Sequence, residues 1–228
     1  MSSEQIAIDN LTEWVARATP EGRGLLLPVS GGSDSALGAF ICREAVGDGV
    51  RGVYFGEQGS MRCQGWFENY VEVETIDTRD ERLDPEVERW AYVLTLALAE
   101  SRVTVSTRNR TEHALGMYSM VSRAAGMHPL IGVWKTDIMR LCEYVGVPSE
   151  IMASSKQADA DCGRPDELAT LSFEQVDTWV KFMSGEVSAE TLTAIRINSP
   201  EEEYLRSVYD RYQFKTELPY NGPEVKID

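Results

Sequence analysis

The stretch Leu25-Leu26-Leu27-Pro28-Val29-Ser30-Gly31-Gly32-Ser33-Asp34-Ser35 limits the possible fold more than any other part of this chain. A short run that is apolar at nearly every position suits a strand buried on both faces, as in a parallel sheet, because a strand with one wet face alternates. The glycines that follow let the backbone turn tightly. Ala36 to Val46 then has helical apolar spacing and is closed by Gly47. Strand, glycine turn and helix in that order begin a βαβ unit.

The rest of the pattern agrees. Ile6, Leu11, Trp14 and Val15 recur at helical spacing, ended by Pro20, Gly22 and Gly24. Arg51 to Phe55 reads as a second strand, and Val71 to Ile76, which alternates, as a third nearer an edge. Pro85 to Ser101 predicts a long helix with Val87, Trp90, Leu94 and Leu98 on one face. Val103 to Ser106 is a β-branched strand, Thr136 to Val145 a helix ended by Gly146 and Pro148, and Leu171 to Met183 an amphipathic helix. Asp161 to Pro165 reads as loop, and Lys215 to Pro223 as an extended, turn-rich tail. The link Glu57 to Tyr70 is short for a full crossover helix. Strands alternating with helices imply an α/β fold with a parallel sheet covered on both faces, and no repeat or linker divides 1–228 into more than one domain.

Charge narrows the partners. With 22 Lys+Arg against 37 Asp+Glu, the net charge is -15 and the pI about 4.6. A mean field of that sign opposes nucleic acid. An anionic small molecule needs a local cationic pocket or a metal ion. The four cysteines (Cys42, Cys63, Cys142, Cys162) have no metal-ligand spacing and read as buried free thiols. The first residues lack the basic patch and apolar run of a signal peptide, and no stretch is apolar enough to span a membrane, which predicts a cytoplasmic protein.

The turn itself carries chemistry. Backbone N–H groups at a glycine turn, a helix N-terminus and the hydroxyls of Ser30, Ser33 and Ser35 suit an anion. Asp34 would repel a bare phosphate and makes sense beside a cation that the phosphate also binds. No Gly-Lys-Ser/Thr follows, so this is not a Walker loop. An ordinary glycine turn with a Ser/Asp cap is the alternative.

SGGSDS resembles the SGGxDS signature of the pyrophosphate-loop ATP pyrophosphatases, and residues further on resemble the ammonia-dependent NAD synthetases within that group. Ser106-Thr-Arg-Asn-Arg-Thr-Glu112 is similar to GTxNxxE with Ser106 for the glycine, and Pro129 to Thr136 to the proline-to-KT segment. Asp166-Glu-Leu with Leu171 to Asp177, and Phe214-Lys215-Thr216 with Leu218-Pro219, are similar to later segments of that family. The resemblance implies a Rossmann-like α/β fold. It also implies adenylation of a carboxylate by ATP with loss of pyrophosphate, then displacement of AMP by ammonia, converting nicotinic acid adenine dinucleotide to NAD. Ser30, Gly31, Gly32, Ser33, Asp34 and Ser35 would hold ATP together with Phe55 at the end of the second strand, Arg89, Thr107 and Lys135. Asp34 and Glu112 would bind Mg²⁺, Asp34 and Lys135 would be catalytic, and Asp159 or Asp161 could accept a proton from ammonia. A homodimer is implied as well.

The substrate segments depart from the pattern. Met117 to His128 lacks the expected Gly-Asp, Lys156 to Ala160 replaces PTADL, and Phe214 replaces a histidine. A related ligase for another carboxylate and a non-catalytic nucleotide-binding module are therefore alternatives. RNA-modifying relatives fit the acidic charge poorly. His113 and His128 read as surface or satisfied histidines, Trp66, Trp90, Trp134 and Trp179 as packing, and Glu201 to Glu203 as a solvent-facing helix start after Pro200.

Overall fold

In the computed structural model, which describes residues 1–77, 85–157 and 166–217, the apolar run forms strand β1 (Gly24–Pro28). Leu25, Leu26 and Leu27 are each 0% exposed, as a strand covered on both faces requires. Helix α1 (Ser3–Ala18) precedes it; α2 (Ser33–Val46), β2 (Val50–Phe55), the one-turn α3 (Gln64–Phe67) and β3 (Glu72–Ile76) follow. Helix α4 (Pro85–Ala99) leads to β4 (Arg102–Thr104), then α5 (Arg110–Leu115) and α6 (Lys135–Tyr144). The remaining described helices are α7 (Ser149–Ser154), α8 (Asp166–Ala169), α9 (Phe173–Met183), α10 (Ala189–Ala194), α11 (Ser199–Tyr212) and α12 (Phe214–Glu217).

The four strands pair in parallel in the order β3-β2-β1-β4, with Leu25 opposite Val50 on one side and Val103 on the other. This is the α/β sheet that the sequence predicts. The chain steps outward from β1 to β3 and then returns to the far side of β1. Winding therefore reverses between β1 and β4, where a crevice opens beyond the carboxyl ends of the strands. The Ser30–Ser35 turn leaves β1 at that crevice.

Alternate residues of β1 face opposite sides. Leu25, Leu27 and Val29 pack with Ile8, Val15, Leu37, Ile41, Ile138 and Leu141 from α1, α2 and α6. Leu26 and Val53 meet Trp90, Val93 and Ala97 of α4. A third cluster joins Leu115 and Trp134 to Leu171, Val176, Trp179 and Leu205, so α9 and α11 buttress α5 from the side. These placements bear out the packing role of Trp90, Trp134 and Trp179, with Trp66 partly buried at the first cluster.

Several boundaries move for local reasons. Helix α2 starts at Ser33, not Ala36, because extended Gly32 is its N-cap (φ -96, ψ 171), so Ser33, Asp34 and Ser35 form its first turn. Strand β4 ends at Thr104, and Val105 bridges Met127 in parallel, adding a rudiment of a fifth strand. Helix α9 starts at Phe173 behind a Ser172–Gln175 capping box. Lys215 to Glu217 is helical, not extended: Lys215 Nζ donates to the Tyr118 carbonyl at 2.8 Å, and Gln213 Nε2 to the Ala114 carbonyl at 2.9 Å. Glu201 does sit in a helix start, in a capping box with Asn198. Cys42 and Cys142 are buried, whereas Cys63 is half-exposed, its thiol donating to Glu150 at 3.3 Å. Asp159, the 161–165 loop, Cys162 and the tail beyond Glu217 lie outside the described residues.

Gly38 lets α2 lie close to the chain beyond β4: a Cβ there would stand 2.6 Å from Thr107 Cγ2. Thr107 is β-branched and stiff at χ1, so it cannot swing clear freely. Gly38→Ala is expected to destabilise the protein by about 1–3 kcal/mol, read as a lower urea midpoint at unchanged slope. An unaltered midpoint would refute this close packing.

Candidate active site

Glycine is required at the centre of the turn: Gly31 has φ +78, in the left-handed region that other residues enter at a cost. Ser35 Oγ then donates to the Gly32 carbonyl at 2.9 Å and accepts from Ser30 N at 3.3 Å, which closes the turn on itself. Ser155 at the end of α7 steadies the next residue. Its Oγ accepts from Ser33 N at 3.2 Å and donates to Ser33 Oγ at 2.8 Å. The buried Cys142 thiol donates to the Ser33 carbonyl at 3.4 Å; burial pushes that thiol up to about 12, so it is an inert structural group.

Around this turn the structure gathers a cation and two carboxylates from distant parts of the chain. Lys135, the first residue of α6 and itself buried, donates from Nζ to Ser33 Oγ at 2.8 Å and pairs with Asp34 Oδ2. Asn109 Nδ2 donates to Asp34 Oδ1 at 2.8 Å. The same Asn109 forms a capping box at the start of α5: its Oδ1 accepts from Glu112 N at 2.9 Å, and Glu112 Oε2 accepts from Asn109 N at 3.2 Å. One amide thus ties Asp34 to Glu112. Burial first, then the facing Asp34 charge, hold the Glu112 carboxyl well above the usual carboxylate range, against Lys135, the Asn109 N–H and Arg108. Two acidic side chains brought together in this way have the oxygen-donor chemistry that a divalent cation prefers. Mg²⁺ commonly takes one or two protein carboxylates and fills its shell with water and phosphate oxygens. No cluster of three or more His, Cys, Asp or Glu side chains occurs among the described residues, so a site held by protein ligands alone is not indicated.

Asp177, from α9, holds the frame of this site and is 1% exposed. Helix α6 has no side-chain cap from its own Trp134. Asp177 Oδ2 supplies one from outside, accepting from Thr136 N at 2.8 Å and also from the Thr136 hydroxyl. Its Oδ1 accepts from Thr111 Oγ1 of α5, which in turn accepts from Lys135 N at 3.0 Å. A buried carboxylate with these donors locks the helix bearing Glu112 to the helix bearing Lys135.

Of the residues singled out by sequence, Ser30 to Ser35, Glu112 and Lys135 come together, and Thr107 lies against α2 beside them. Phe55 ends β2 and packs edge-on against Tyr92 of α4, ring centroids 5.9 Å apart. Arg89 is not joined to the turn by any contact among the described residues; its Nε is buried without a partner. The two histidines differ: neither is on the surface, and of the two only His113 has a buried ring nitrogen without a partner. His113 is half-buried with an unpartnered Nδ1, and His128 Nδ1 lies 3.4 Å from Arg108 Nη2. Asn109, Thr111 and Asp177 stood inside the resemblance segments without assigned roles. Ser155 carried no signal, because a serine at a helix end is common and its partner is far away in sequence.

The family model described as NAD synthase matches residues 63–219, more than half of the chain. The chain belongs to the NAD synthase family. The glycine turn at 30–35 lies outside the matched span, so its geometry is a separate observation. An NH(3)-dependent NAD(+) synthetase of Thermococcus sibiricus is 26% identical, with 96% of each chain covered. The fold is also that of two solved structures. One is an NH3-dependent NAD synthetase from Campylobacter jejuni (15% identity, TM-score 0.75, covering 98% of this chain and 100% of that one). The other is an NMN synthetase from Francisella tularensis (18% identity, TM-score 0.72, covering 97% and 99%).

Two expectations follow for this NAD synthase-family frame. Asp177→Ala leaves the Thr136 N–H and Thr111 hydroxyl unpaired and should cost about 2–4 kcal/mol in urea unfolding, with Asp177→Asn costing clearly less because one oxygen acceptor remains. Equal costs would show that the carboxylate is not the keystone. His128 gives a pH signature. Burial first, then Arg108, His113 and Arg123, lower it from 6.5 to about 4. Unfolded chains therefore hold a proton that the folded chain refuses between those values: this contribution is fully present above pH 6.5 and is lost as pH falls towards 4. His128→Asn should make the fall of stability across that window shallower, and an unchanged slope would refute the assignment.

Proposed function

We propose that this protein is an ammonia-dependent NAD synthetase: it adenylates the nicotinate carboxylate of nicotinic acid adenine dinucleotide with ATP and replaces AMP by ammonia. The observation that carries the proposal is the Asn109 bridge between Asp34 and Glu112, set beside Lys135 and the Gly31-Gly32 turn at the switch point of the sheet. The name shared with its curated relatives supports it.

In the first step a carboxylate oxygen of the dinucleotide attacks Pα of ATP, and the bond to the bridging β-oxygen breaks with that electron pair leaving on pyrophosphate. The turn residues Ser30, Gly31, Gly32, Ser33 and Ser35 would hold the leaving phosphates through backbone N–H groups and hydroxyls, at the positive end of α2. Lys135, at the positive end of α6, would add a compact cation to the same oxygens. Asp34 and Glu112 are the residues that would hold Mg²⁺, whose chemistry is to neutralise charge on the phosphates. Thr107, and Phe55 at the end of β2, would border the nucleotide. In the second step ammonia attacks the acyl carbon, the bond to the AMP oxygen breaks, and one proton is lost. No side chain need act as nucleophile, since both steps mainly require positioning and charge neutralisation. Residues 1–228 are read here as one domain that performs both steps. The reactive partners are small molecules, in a homodimer as the resemblance implies, and among the described residues no helix is long and apolar enough to cross a membrane.

Incubation with ATP, Mg²⁺, ammonia and nicotinic acid adenine dinucleotide is expected to yield NAD with equimolar pyrophosphate and AMP. Asp34→Asn should lower that rate by two orders of magnitude or more while leaving the urea midpoint close to that of the parent, because the side chain serves the site and not the core. Orthophosphate as the direct product, or full activity of Asp34→Asn, would overturn the proposal.

A further inference from the structure

Beside the proposed ATP site lies a group of cations that the scheme above does not use. Arg108 sits between Thr107 and Asn109 at the carboxyl end of β4 and is 7% exposed. Its Nε and Nη1 are buried without a hydrogen-bond partner, while Nη2 reaches His128 Nδ1 at 3.4 Å. The guanidinium lies 3.9 Å over the ring of Tyr118, which fixes its plane. Arg123 stands close enough to disfavour further positive charge on Arg108, and its own bond is to the neutral Lys215 carbonyl. Among the described residues no ion pair closes on Arg108 or Arg123. Burying a guanidinium with two unpaired nitrogens costs far more than exposing it, unless a ligand supplies the missing acceptors.

What could supply them follows from the neighbours. Glu112 lies within electrostatic reach of Arg108, so an acceptor here approaches a site already carrying two carboxylates. A second anion can reside there only if a cation offsets that field. On the substrate proposed above, on which this inference rests, we infer that Arg108, backed by Arg123 and oriented by Tyr118 and His128, receives the nicotinate carboxylate, the group that attacks ATP. The ligand class is an aromatic carboxylate, and the segment 117–128, from which the Gly-Asp of related sequences is missing, supplies three of the four residues.

Binding can test this without turnover, because nicotinic acid adenine dinucleotide and NAD differ only in carboxylate against carboxamide. The parent protein should bind the acid more tightly than the amide. Arg108→Gln should weaken binding of the acid on the order of 30-fold or more and change NAD by less than about threefold, so that discrimination collapses. Arg108→Lys should keep part of it, because charge remains while the planar donors are lost. Binding of ATP with Mg²⁺ to each variant checks that the fold is intact. Equal weakening of both dinucleotides would place Arg108 on a phosphate and overturn the carboxylate assignment, and so would retained discrimination in Arg108→Gln. Failure of the parent protein to bind either dinucleotide would overturn the proposed function and this pocket together.

Discussion

Asp34 and Glu112, two acidic residues distant in the chain, are brought together through Asn109 at the carboxyl end of a parallel sheet, which electrostatics alone would oppose. Burial first, and then the Asp34 charge, raise the Glu112 carboxyl. Asn109 makes the arrangement possible, since its amide donates to one carboxylate while its oxygen and backbone N–H fix the other through a helix cap. Lys135 balances Asp34 from the opposite side. On the proposed function this pair would seat the cation, and a frame with either carboxylate turned away would lack that seat.

That frame depends in turn on two helices being held together. Neither α5 nor α6 is long, and short helices gain little stability by themselves. Both are instead fastened to a third, α9, by the Asp177 carboxylate, and Trp134, Trp179 and Leu205 exclude water from the surroundings. Exclusion of water strengthens the Asp177 hydrogen bonds and raises the penalty for breaking any one of them. Helix α9 therefore acts on the site through the helices that it fastens: the Asp177 carboxylate caps α6 and so sets where Lys135 begins.

The sheet was legible because its signal is one-dimensional. An apolar run with both faces covered, a glycine turn and a helix can be read from neighbouring residues, and so can the edge position of β3 from its alternation. Gly31 was legible for the same reason, since a glycine after a strand is what a left-handed turn requires. Asn109 and Asp177 sat in recognisable segments, but their roles are three-dimensional. A capping asparagine looks alike whether or not its second amide proton meets a distant aspartate, and a buried aspartate looks like a surface one until its three donors are placed. The start of α2 was misread because Gly32 caps the helix through extended backbone, a conformation that leaves no mark in composition. His113 was misread because its surroundings, burial together with Arg108 and Arg123, come from distant positions, and sequence spacing does not show that these converge.

A chain with a net charge of -15 has to build positive potential locally if it is to bind anions. It does so in two ways that differ in reach. The N-termini of α2 and α6 and the Lys135 ammonium act on whatever lies against the glycine turn. Arg108, within electrostatic reach of Glu112, and Arg123 near it form a second positive group. On the proposed function, two separate positive groups would hold two anionic partners on different charges, while a net charge of -15 disfavours polyanions. Under that proposal, selection among anions would rest on whether a ligand can place one charge over the turn and another at Arg108, which is a question of shape more than of total charge.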